Sequence, residues 1–230
     1  SLGLVGSEMC IRDRCRQLEI DASVDVYPTE GILGIDALKD FDGNNRDDLC
    51  APEHDSVDHP RLAALNRQST AAVFDEIAKG DILLHHPYQS FDTSVLRFLN
   101  AAASDPAVLA IKLTIYRTSR ESPLLQALAE AARRGKQVAV LVEITARFDE
   151  APNIAWGSFL EKEGVHVSYG VERLKTHVKL ALVVREEADG VRSYAHCGTG
   201  NYHSDTAKAY EDLGLLTCDE SVCNDVAAVF

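Results

Sequence analysis

The sequence predicts an α/β sandwich around a mixed, largely parallel central sheet, and three observations carry that expectation. From Asp81 onward, short apolar runs alternate with segments of helical composition. Gly135 and Gly164 stand where two of those helices should stop. With 230 residues, 46% hydrophobic and 26% charged, the chain can bury a sizeable core, and no apolar run is long enough to span a bilayer.

The segment Leu4 to Arg14, LVGSEMCIRDR, resembles a translated sequencing adapter, so residues 1–14 are set aside from fold reasoning. Glu8 and the lack of a sustained apolar stretch argue against a secretory leader there. Residues 15–58 are mixed, with Pro28, Gly31, Gly34 and the turn-prone FDGNNRDD, and read as irregular or partly helical connection. Arg61 to Lys79 has helical character with Gly80 as its stop.

DILLHH at Asp81 to His86 then opens the alternation. Thr93 to Ala103 has helical composition, Val108 to Ile115 reads as a buried strand and Pro123 to Arg134 as a helix. Gln137 to Ile144 is an expected strand, Asn153 to Glu163 a helix and Val165 to Tyr169 a strand. The His177 segment continues as a strand to Val184, with a turn near Asp189-Gly190 before Arg192 to Cys197. No internal repeat interrupts this order.

A net charge of −13 is unfavourable for nonspecific nucleic-acid binding, so local charge must decide any affinity for polyanions. Acidic residues crowd Asp36 to Asp58, whereas Arg117, Arg133, Arg134, Lys136, Arg147, Lys175 and Lys179 follow Asp81. Beyond Cys10, the cysteines at 15, 50, 197, 218 and 223 are scattered and form no Cys-x-x-Cys pair, which suits reduced cytosolic thiols and no structural zinc.

The stretch LKTHVKL at Leu174 to Leu180 sets His177 and Lys179 two residues apart, on one face if extended. That pairing offers a nucleophilic imidazole and a cation to hold an anionic substrate against it. Arg117 and Arg147 follow two successive strands, at the edge where open α/β sheets place ligands, and a guanidinium can clamp phosphate oxygens in a fixed geometry. GTGN at Gly198 to Asn201 is a small-residue turn through which backbone N–H groups can approach an anion, with Asn201 as an added donor. His196 could assist His177 or be a buried structural histidine. His85 and His86, at a strand end, suit structural or substrate-positioning roles better than nucleophilic ones.

Five ordered blocks carry a resemblance: DILLHHPYQSF, AIKLTIYRTS, VEITARFDEAPNIAW, KTHVKL and YAHCGTGNYHSDTAKAYEDLGLLT. Together they resemble polyphosphate kinase of the long, multidomain bacterial type, from about Asp81 to the end of the chain. The resemblance implies reversible transfer of the terminal phosphate of ATP to polyphosphate through a phosphohistidine, with magnesium (Mg2+) present. It places His177 at the nucleophile, Lys179 beside it, Tyr210 at the nucleotide, and Arg117 and Arg147 at the phosphate and magnesium site. Arginine has no free lone pair for a metal, so their role there would pass through phosphate oxygens or water.

The resemblance further implies a phospholipase D-like sandwich at residues 80–230, preceded at 15–79 by the end of a helical head domain, with a second catalytic domain continuing beyond Phe230. A fragment holding half of a two-domain site is expected to be inactive or nearly so. The family is cytoplasmic, handles ATP, ADP and polyphosphate rather than nucleic acid, and assembles as homo-oligomers at full length; peripheral membrane association stays open. The phospholipase D superfamily usually adds an aspartate after His-x-Lys, and Leu180 to Val184 contains none, which counts against a phosphodiesterase. A noncatalytic polyanion-binding module is the other alternative.

Overall fold

The computed structural model describes residues 8–28, 34, 54–65, 69–116, 122–143, 150–170 (backbone only at 150–152) and 174–230. The chain divides into two compact units, residues 1–53 and 54–230, a boundary earlier than the 79/80 division expected from sequence. In the first unit, α1 spans Glu8–Leu18 and α2 spans Ala22–Asp25. Asp21 caps α2 by accepting from the Ser23 N–H at 2.8 Å. No helix among the described residues is long and apolar enough to cross a membrane.

The second unit opens with α3 (Pro60–Ala63) and α4 (Ala71–Ile77), and Gly80 follows in the left-handed half of backbone space at φ +141°. Then come β1 (Ile82–His86), a π-helical turn (Asp92–Leu96) running into α5 (Arg97–Ser104), β2 (Val108–Ile115) and α6 (Pro123–Arg133). Proline at the first position of α6 loses no hydrogen bond. Gly135 after α6 (φ +83°) and Gly164 after α7 (φ +87°) adopt the left-handed conformation that ends a helix at low cost. β3 (Gln137–Val142), α7 (Glu150–Lys162) and β4 (His166–Tyr169) follow. The Asp189-Gly190 turn joins β5 (Lys179–Glu187) to β6 (Gly190–Gly198) as a hairpin. α8 (Ser204–Ala209), β7 (Asp212–Thr217) and α9 (Glu220–Val229) complete the unit.

One seven-stranded sheet results, in the order β1-β7-β6-β5-β2-β3-β4. It is mixed, as expected, but the balance differs from the sequence reading. Only β2-β3 and β3-β4 pair in parallel, and the other four neighbours are antiparallel. Periodicity does not record strand direction, and of the helical crossovers only those through α6 and α7 join strands that are neighbours in the sheet.

Both faces of the sheet are covered. Ala181 and Val183 of β5 join the main core with Ile111, Leu113, Phe98 and Leu125, while Leu180 and Leu182 pack with Ala195, Cys223 and Val226 under α9. A strand buried on both faces reads as the continuous run LALVV rather than as an alternation. Lys179 and His196 share the main-core face with Ala181, because β5 alternates and Ala181 pairs with His196.

Candidate active site

The strand register brings nearly every chemically suggestive segment to one edge of the sheet. His86 ends β1 opposite Asp212, which opens β7; Gly198 ends β6 opposite Lys179, which opens β5. At the same edge β2 runs out into Tyr116 and β3 into Glu143. Arg117 and Arg147 lie outside the described residues, although the strands that precede them end here.

His177 and Lys179 meet as the spacing predicts, but His177 precedes the strand rather than belonging to it. Lys179 Nζ lies 3.2 Å from His177 Nδ1 and 2.5 Å from the His177 carbonyl oxygen. His177 is exposed, whereas Lys179 is 3% exposed. Tyr116 packs edge-on against the imidazole at 4.8 Å, and the Lys179 ammonium lies 5.2 Å from the same ring.

The start of β5 is fixed from β2. Thr114 Oγ1 donates to the Val178 carbonyl at 2.7 Å and accepts from the Leu180 N–H at 2.9 Å. Burial lowers the pKa of Lys179, opposed by the negative charge of Asp212. His177 is also lowered, by partial burial first and by the Lys179 charge second, so its neutral form is favoured near neutral pH.

His196 has a different setting. It is 3% exposed, its Nδ1 lies 2.8 Å from the Tyr202 hydroxyl, and burial, with His86 adding to it, holds its pKa down at about 3. Its ring is wedged between glycines: a Cβ at Gly198 would stand 2.7 Å from His196 Cε1, and one at Gly214 would stand 2.9 Å from Nε2.

His196 and Gly198, with His86, Asn201, Asp212 and Gly200, line a cavity of about 10 Å3. His86 Nε2, His196 Nε2 and Asn201 Oδ1 are buried there without a hydrogen-bond partner among the described residues. Gly200 faces the Asp212 carboxylate, which a Cβ would meet at 2.5 Å. Asp212 also accepts from Thr199 Oγ1 at 2.7 Å. The GTGN glycines therefore admit neighbouring side chains, and Asn201 lines the same cavity as the two imidazoles. Tyr210 is 63% exposed just after α8, its N–H bonded to the Thr206 carbonyl at 3.1 Å. His85 lies on the rim, its ring 4.7 Å from that of Tyr88.

Sequence reasoning did not single out Asp212, Glu143, Asn153, Thr114 or Tyr116. Asp212 stands two residues after Tyr210 in the block AKAYEDLGLL, and Glu143 follows an apolar strand. An acid directly beyond an apolar run was the available signal. Among the described residues, no group of three or more His, Cys, Asp or Glu is placed to hold a metal ion.

Known proteins match this chain in sequence and in fold. A family profile described as "Polyphosphate kinase C-terminal domain 1" matches residues 72–230. The chain is 51% identical over 215 residues to a polyphosphate kinase of Streptomyces coelicolor, covering 94% of this chain and 29% of that protein. A polyphosphate kinase of Mycobacterium avium is 48% identical over the same length and coverage.

Among solved structures, the polyphosphate kinase of Porphyromonas gingivalis superposes with a TM-score of 0.70 at 28% identity, covering 92% of this chain and 35% of that one. NucT from Helicobacter pylori superposes with a TM-score of 0.51 at 16% identity, covering 65% of this chain and 92% of that one, a likeness of fold alone. The chain spans about 29% of the length of the curated relatives it matches. With its sheet, its His-x-Lys edge and the profile match over residues 72–230, the chain belongs to the polyphosphate kinase family.

Proposed function

We propose that this chain carries one part of the active site of an ATP:polyphosphate phosphotransferase and that His177 is its phosphate acceptor. The observation that carries the reading is an exposed imidazole whose Nδ1 lies 3.2 Å from the buried ammonium of Lys179 at the sheet edge. A neutral imidazole nitrogen would attack the terminal phosphorus of ATP, the bond from that phosphorus to the bridging oxygen would break, and ADP would leave. A terminal oxygen of polyphosphate would then take the phosphoryl group from His177 and regenerate the free imidazole. The reverse sequence forms ATP.

Lys179 has a specific part in this scheme. While its ammonium donates to Nδ1, the neutral ring carries its proton on Nε2, where it blocks attack by that nitrogen. A phosphate oxygen near Lys179 competes for the ammonium, frees Nδ1 to hold the proton and leaves an Nε2 lone pair for the phosphorus. Lys179 then stabilises charge on the transferred group. Arg117 and Arg147 are expected to contact the phosphates. Magnesium held by the nucleotide phosphates would supply charge neutralisation there. Tyr210, exposed on the rim, is available to the adenine ring.

The test is incubation of the complete kinase chain carrying this segment with ATP labelled at the terminal phosphate. Acid-labile, base-stable label that disappears in His177→Gln supports the reading. Label retained in that variant refutes it.

A further inference from the structure

Glu143 follows β3 directly, is 2% exposed, and its Oε2 accepts the backbone N–H of Thr176 at 2.7 Å. Burying a carboxylate is costly unless hydrogen bonds or a charge partner offset the lost hydration. This one reaches 33 residues along the chain to hold the peptide immediately before His177.

Residues 175–178 have no strand pairing, since β5 begins only at Lys179. The segment is fixed from two sides: Thr114 holds Val178 and Leu180, and Glu143 holds Thr176. Behind Glu143, the fully buried Asn153 donates Nδ2 to the carbonyls of Glu143 (2.8 Å) and Tyr116 (3.1 Å), tying the ends of β3 and β2 together. Tyr116 in turn flanks the His177 ring.

We propose that Glu143 is a positioning residue for His177, fixing the backbone ahead of the imidazole so that the ring meets phosphate in one orientation, with Asn153 bracing Glu143. The proposal rests on His177 being the phosphate acceptor. In this role Glu143 acts through the Thr176 N–H.

The experiment compares Glu143→Ala, Glu143→Gln and His177→Gln in the complete kinase chain carrying this segment. It measures the single-turnover rate of acid-labile labelling, KM for ATP and the thermal midpoint. A misplaced reacting group costs on the order of a hundredfold, so Glu143→Ala should slow labelling by about ten- to a hundredfold while KM for ATP stays within about twofold. Glu143→Gln, whose amide oxygen can still accept from Thr176, should recover most of the rate.

A purely structural role would lower the thermal midpoint and would not separate rate from KM in this way. If the alanine variant does not fold, Glu143→Met, which keeps volume without an acceptor, takes its place. Labelling at the wild-type rate without the acceptor overturns the proposal, as does a glutamine variant as slow as alanine. Label retained in His177→Gln would instead remove the premise, a result separate from either.

Discussion

Thr114→Val tests whether β5 is held at its start by one hydroxyl. Thr114 is 2% exposed; its Oγ1 donates to the Val178 carbonyl at 2.7 Å, with the Leu180 carbonyl a longer alternative at 3.5 Å, and accepts from the Leu180 N–H at 2.9 Å. Valine keeps the shape and removes both. The Val178 carbonyl belongs to an exposed residue and can turn to water, whereas the buried Leu180 N–H has no such recourse. A hydrogen bond contributes about 1 kcal/mol net and an orphaned buried donor costs about 1–3 kcal/mol, so the variant should lose about 2–4 kcal/mol. For a unit of this size that corresponds to a fall in Tm of roughly 5–15 °C.

Trp156 is the sole tryptophan, is 4% exposed and lies in α7, so its fluorescence follows urea unfolding of the second unit. Thr114→Ser is the control, because it keeps the hydroxyl and loses only a methyl group, about 1 kcal/mol. If valine unfolds within about 0.5 kcal/mol of wild type, the clamp contributes nothing and the reasoning from its geometry is wrong.

The remaining expectations concern the imidazoles and the glycines beside them. His196 titrates at about 3 when folded, against about 6.5 unfolded. Its contribution is therefore fully present above pH 6.5 and is lost as pH falls from there toward 3, at about 1.4 kcal/mol per pH unit. Urea midpoints of wild type and His196→Asn between pH 7 and 5 should show a slope that the variant flattens, and equal slopes would contradict the assignment. Gly214→Ala puts a methyl 2.9 Å from His196 Nε2 and 3.6 Å from Leu84 Cβ and should destabilise by about 1–3 kcal/mol through overpacking. Gly200→Ala meets instead Asp212, its Oδ2 at 2.5 Å and its Cβ at 2.9 Å; rotation of the carboxylate relieves the first contact but not the second, so the variant should destabilise by about 1–3 kcal/mol through overpacking and lower His177 labelling. Lys179→Met removes a buried charge and should leave the urea midpoint unchanged or higher, yet abolish labelling of the complete kinase; a variant that still labels His177 would show the ammonium to be dispensable.

What could be read from the sequence depended on whether a feature was local. The run LALVV, the helix over Pro123–Arg133 and the Asp189-Gly190 turn are each specified within a few residues, and the structure has all three. α8, β7 and α9 were not foreseen: α8 is one short turn-rich segment, and β7 carries Gly214 because the His196 ring needs the space. His177 and Lys179 were legible because they are two residues apart. Glu143 and Asn153 were not, since one finds its partner 33 residues away and the other joins the ends of two strands.

The two histidines near Lys179 can be told apart by space rather than by residue type. A phosphate acceptor must have room for a phosphoryl group on one ring nitrogen and a path to the substrate. His196 has its Nδ1 beside the Tyr202 hydroxyl and its Nε2 facing Gly214 across a gap too small even for a methyl, in a cavity of about 10 Å3. His177 is exposed, and its neighbour Lys179 can follow an arriving phosphate. The buried imidazole is thus better suited to fixing Tyr202 and the glycine turn than to carrying phosphate. The expected consequence is that His196→Gln reduces but does not remove acid-labile label, while His177→Gln removes it. Complete loss in His196→Gln with the thermal midpoint unchanged would reverse the two roles.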